Sequence, residues 1–148
     1  MSEKQTTQQQ NQQPAAMTEE QRQEWVRTQF QNANRYLAER GLLSETILTK
    51  ESRYLVPDIA VWKFKLQNGK RVWVINGRVT TDHVSAEAAK TAREAVRYFS
   101  FQWQLKAENI AALGDAADTT QRQMATLLVR NAEALYQLSD NEKLWQQA

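Results

Sequence analysis

The dipeptide Asn68-Gly69 constrains this chain more than any other feature of its sequence. It separates two runs of strand composition, residues 59–66 and 70–76. Asn-Gly is the preferred centre of a two-residue type I′ hairpin, because both of its residues tolerate positive φ. Such a turn predicts a register: Gln67 opposite Lys70, Leu66 opposite Arg71, Phe64 opposite Trp73 and Trp62 opposite Ile75. Side chains alternate along a strand, so Trp62, Phe64, Leu66, Trp73 and Ile75 share one face, and Lys63, Lys65, Val72 and Val74 the other. The first face is aromatic and needs cover, whereas the second is half polar. The expectation is an antiparallel sheet with one wet face and helices on the other.

Three helices are predicted to supply that cover. Thr18-Glu-Glu-Gln21 is a capping-box pattern, followed by Trp25, Val26, Phe30, Ala33, Tyr36 and Leu37 at helical spacing. Gly41 stands where a C-terminal cap belongs, so the first helix runs from about 19 to 40 with Arg22, Arg27, Arg35 and Glu39 on a solvated face. A second capping box, Thr91-Ala-Arg-Glu94, starts a helix over about 92–113, after a short helical turn from Ser85. Its apolar residues, widened by Tyr98, Phe101 and Leu105, predict near-complete enclosure. The third helix starts at Asp118 and ends near Ser139–Asn141, and Trp145 is expected to dock in a short terminal turn. Residues 42–57 read as one irregular edge strand, because Pro57 limits pairing to an edge or an end.

Together these elements predict an α+β domain over 18–148: a short antiparallel sheet built on the hairpin at about 59–76 and packed against three α-helices. Residues 1–17 are rich in Gln and poor in large apolar side chains, so they read as a disordered tail. The chain has 148 residues, five of them tryptophan, which suffices for a real core without staples.

Composition excludes several kinds of chemistry. The absence of cysteine removes disulfides, cysteine-ligated zinc, iron–sulfur clusters and a thiol nucleophile. One histidine, with no Glu-x-x-His pair, makes a poor metal site, and the four glycines form no phosphate-binding loop. We therefore expect no catalytic residues, no cofactor and no metal. The N-terminus lacks the apolar core of a secretory signal, and no apolar run is long enough to span a membrane, so the expected location is the cytoplasm, with no membrane partner.

What remains is a polar corner, Arg78, Asp82, His83, Arg93 and Arg97. Histidine titrates near neutral pH and a carboxylate beside it can orient it, and three arginines near a helix start could neutralise an anionic ligand. Neighbouring residues seldom point at each other, however, and Asp82 serves equally well as a turn residue. Residues 60–97 carry eight Lys or Arg against three acidic residues. Basic residues beside sheet tryptophans raise the question of single-stranded nucleic acid. The expected register disfavours it, since Trp62 and Trp73 lie away from Lys63 and Lys65. Val72 and Val74 beside lysine stems, with an open sheet edge, suggest instead pairing with another chain, in the simplest case as a homodimer.

The order Arg53-Tyr-Leu-Val-Pro57, Ala60-Val-Trp-Lys63, Trp73-Val-Ile-x-Gly77, Thr81-Asp-His83, Arg93-Glu-Ala-x-Arg97-x-Phe-Ser100 and Trp103-Gln104 resembles a small bacterial family, the domain of unknown function 4826. The resemblance covers roughly residues 20–140 and implies a gammaproteobacterial source. It implies prolines where this chain has Thr80 and Ala92, the second at a first helical position. It implies a fold and no activity. The functional expectation is a non-catalytic accessory or protein-interaction domain. A small ligand-binding or enzymatic domain using the polar corner is the alternative, and nucleic-acid binding by the basic hairpin a second.

Overall fold

The computed structural model describes residues 16–146. The tail expected over 1–17 lies outside the described residues as far as position 15. Helix α1, Glu19–Glu39, opens on the expected capping box: Thr18 Oγ1 accepts from the Gln21 amide at 3.1 Å, and Gln21 Oε1 accepts from the Thr18 amide at 2.9 Å. It is followed by strands β1 (Ser44–Ile47), β2 (Arg53–Leu55), β3 (Ile59–Leu66), β4 (Arg71–Gly77) and β5 (Asp82–Ser85). All pairings are antiparallel, in the order β1-β3-β4-β5, with β2 also on β3.

Residues 42–57, expected as one edge strand, form two short ones in succession along β3. The chain turns between them, with the Ser52 amide donating to Leu48 O at 3.1 Å. Within the turn, Ser52 Oγ accepts from the Lys63 amide at 2.9 Å. A side chain thus satisfies a ladder donor that a continuous strand would have met with its backbone.

The hairpin is where expectation and structure part. Lys65 pairs with Arg71, Phe64 with Val72, Lys63 with Trp73 and Trp62 with Val74, a shift of one residue from the two-residue turn. Gly69 has φ +86°, but among the described residues none other than glycine has positive φ, so Asn68 does not adopt the conformation that a type I′ turn requires of it. The loop instead has three residues. Gly69 N donates to Leu66 O at 2.9 Å, and Leu66 N donates to Lys70 O at 2.8 Å. Asn68 Oδ1 accepts from the Lys70 amide at 2.9 Å. This arrangement of a turn followed by a left-handed glycine is the next common hairpin closure.

A one-residue slip moves every side chain of one strand to the other face. Trp62, Phe64 and Leu66 therefore share a face with Val72 and Val74, and α1 covers it through Ala33 and Leu37. Trp73 and Ile75 join Ile59 and Val61 on the opposite face. Both faces are consequently apolar, and the wet face expected from the sequence does not exist. The surface of Val72 and Val74 considered for pairing with another chain is likewise occupied by α1. The sheet is the middle of three layers.

The third layer is a helical hairpin. Helix α2, Ala92–Ala111, is capped by Thr91, and α3, Thr119–Asp140, by Asp118 with a full capping box. Phe99, Trp103, Leu128, Ala132 and Leu135 fill the space against Ile59, Val61, Trp73 and Ile75. Ser100 Oγ donates to Ala132 O at 2.8 Å, locking the two helices together. Helix α2 is not enclosed as expected: Phe101 is 72% and Leu105 46% exposed. Phe101 lies about 200° around the helix from Trp103, on the side that neither the sheet nor α3 reaches. The short terminal turn Glu142–Trp145 docks its tryptophan, which donates to Leu138 O at 2.9 Å.

Candidate functional site

The register of β5 decides what the polar corner can do. Ile75 pairs with Asp82 and Val74 with His83. Ile75 faces α2 and Val74 faces α1, so Asp82 and His83 point to opposite sides of the sheet. Asp82 Oδ2 accepts from the Trp103 indole at 2.8 Å, and its Oδ1 accepts from the His83 amide at 2.8 Å. His83 Nδ1 lies 2.9 Å from the Tyr36 hydroxyl on α1. The corner thus ties the central sheet to both helical layers. Burial pushes the Tyr36 phenol above its usual value, with the charge of Asp82 adding to the effect and Arg40, whose guanidinium lies 3.6 Å from the ring centre, opposing it.

The three arginines each engage a different group. Arg78 faces Asp58 at 3.6 Å, an exposed pair worth little. Arg93 Nε donates to Ser139 O at 2.7 Å, binding the start of α2 to the end of α3. Arg97 reaches Asp140 at 4.0 Å. Among the described residues, no three His, Asp or Glu side chains come close enough together to hold a metal ion. Lys63 and Lys65 are also engaged: Lys63 is buried, with its ammonium 2.8 Å from Glu51 and 5.2 Å from the Trp73 ring centre, and Lys65 lies 3.4 Å from Glu45. Trp62 and Trp73 are buried on opposite faces, so neither offers a stacking platform.

An aromatic-lined concave surface lies elsewhere. A groove of about 550 Å³ runs between the first half of α1 and the edge formed by β1 and β2. Its floor and walls are Val26, Phe30, Ile47, Tyr54, Val56 and Trp62, and its rim carries Glu19, Arg22, Gln23 and Arg27. That volume falls in the roughly 300–1,000 Å³ range of small-molecule sites, which are mostly apolar with a few polar groups. The aromatic rings brace one another, with centroids 5.5 Å apart for Phe30 and Trp62 and 4.8 Å for Tyr54 and Trp62. The Trp62 indole donates to Asn76 Oδ1 at 3.0 Å, and Asn76 Nδ2 donates to Gln29 O at 2.8 Å. These bonds fix the floor to α1. Burial raises the Tyr54 phenol above its usual value.

Sequence reasoning missed this groove because its lining comes from α1, β1, β2 and β3, which no local pattern brings together. The signal that could have found it was the shortness of the strands flanking Ser52. Two strands of four and three residues leave the N-terminal half of α1 without a full sheet beneath it. Residues 19–145 match the model of the domain of unknown function 4826 family, and the chain belongs to it. Neither the curated proteins nor the solved structures contain a match to the chain.

Proposed function

We propose that this domain is a non-catalytic binding module, an accessory protein whose working surface is the groove between α1 and the β1–β2 edge. One observation carries the reading: a largely apolar concavity of ligand size, with Phe30 and Tyr54 each braced on the buried Trp62 and a charged rim. The polar corner supports it by contrast, because its carboxylate and imidazole are committed to Trp103 and Tyr36 on opposite sides of the sheet.

Titration with the neutral fluorophore N-phenyl-1-naphthylamine tests this reading. Saturable binding of one probe per chain is expected. Two variants should abolish it while leaving the circular dichroism unchanged: Val26→Asp, which places a charge in the groove, and Gln23→Trp, which fills it from an exposed helix position. Phe101→Ser, on the far layer, should bind like the parent. Non-saturable uptake, or loss of binding in the Phe101 variant alone, would overturn the proposal.

A further inference from the structure

The rim of the groove specifies its guest further, and this inference rests on the groove being a binding site. Arg22 and Arg27 stand at its mouth, with Glu19 as the single acidic lining residue. Arg27 also holds Glu24, 2.8 Å away, in an exposed pair that an incoming anion can exchange at small cost. Arg22 makes no ion pair with any other described residue. Below these guanidiniums the lining is apolar and aromatic except for Thr49. We propose that the groove takes a monomeric amphipathic organic anion, its hydrocarbon or aromatic body lying against Val26, Phe30 and Tyr54 and its carboxylate-type head meeting Arg22 and Arg27.

Charge and shape both favour this class. Guanidinium offers a carboxylate two parallel donors, whereas a cationic head would meet two arginines and one glutamate. A purely polar anion would leave the aromatic floor unmatched. The chain's own N-terminus fits poorly, since residues 1–15 hold no large apolar side chain apart from Met1. An extended peptide would find only four- and three-residue edge strands to pair with.

Displacement of the same fluorophore from the full chain by decanoate, decan-1-ol and decylamine, below their micellar concentrations, tests the inference. Decanoate should compete about fivefold better than the alcohol at low salt, with decylamine weakest, and the advantage should shrink as salt rises. Arg22→Gln combined with Arg27→Gln should bring decanoate down to the alcohol, removing the difference between the two competitors. Equal competition by decanoate and decanol would overturn the anionic guest while leaving the groove intact, and absence of probe binding would remove both readings. Sedimentation of the chain with phosphatidylglycerol vesicles, unaffected by the double substitution, would also overturn it.

Discussion

The bond between Trp103 and Asp82 offers the sharpest measurement of how this fold is tied together. Trp103 is 1% exposed, and its indole is the donor to Asp82 Oδ2 at 2.8 Å. Trp103→Phe keeps the apolar ring and removes the donor. A hydrogen bond to a charged group contributes ~1.5–3 kcal/mol, and the smaller ring leaves a void costing ~1 kcal/mol more. The loss should therefore be about 3 kcal/mol. For a domain of about 130 described residues, the usual unfolding entropy converts this into a fall in Tm of about 11 °C.

Asp82→Asn tests the other partner. Asp82 accepts on both oxygens, from Trp103 and from the His83 amide. An asparagine must turn its NH2 toward one of these donors, at a cost of ~2 kcal/mol. In the double variant the NH2 faces a phenyl ring and that penalty falls, so a double-mutant cycle in urea should show a coupling of ~1–2 kcal/mol. Additivity to within ~0.5 kcal/mol would refute the argument that the indole holds the carboxylate.

Glycine geometry and alkaline pH give two further checks. Gly77 has φ +117°, and a Cβ there would meet Asp58 O at 2.6 Å, whereas Gly69, at φ +86°, has open space. Gly77→Ala should cost about 3 kcal/mol or more and Gly69→Ala about 1 kcal/mol by chemical denaturation; equal losses would discard the backbone clash as a cause. The phenols of Tyr36 and Tyr54 are both raised by burial. A raised folded-state value means that stability is fully present below the unfolded phenol value, about 10, and falls as pH rises through the folded one. Tm should therefore decline above pH ~10, and Tyr54→Phe should flatten the decline. A slope unchanged in that variant would place the loss on other groups.

How far the fold was legible differs from element to element. The helix starts were written locally: Thr18, Thr91 and Asp118 each bond the amide three residues on, as their spacing requires. These contacts span a single turn and need nothing from the rest of the chain. The hairpin was half legible. Asn68-Gly69 announced a turn, but whether the loop holds two residues or three depends on whether Asn68 takes positive φ. That choice inverts the faces of β4 relative to β3. The energy deciding it comes from burying Val72 and Val74 under α1 and Trp73 and Ile75 under α2 and α3.

The candidate sites divide in the same way. The polar corner drew attention because its residues are close in sequence, yet alternation along β5 sends Asp82 and His83 to different layers. The groove joins Val26, Ile47 and Trp62, which no local spacing relates. By itself, then, the sequence determined the elements, their caps and the residues that must be buried, because those follow from propensity, period and hydrophobicity within a few turns. Only the tertiary structure decided the register, the covering of both sheet faces and the open groove, because each depends on which distant surfaces compete for the same apolar contact.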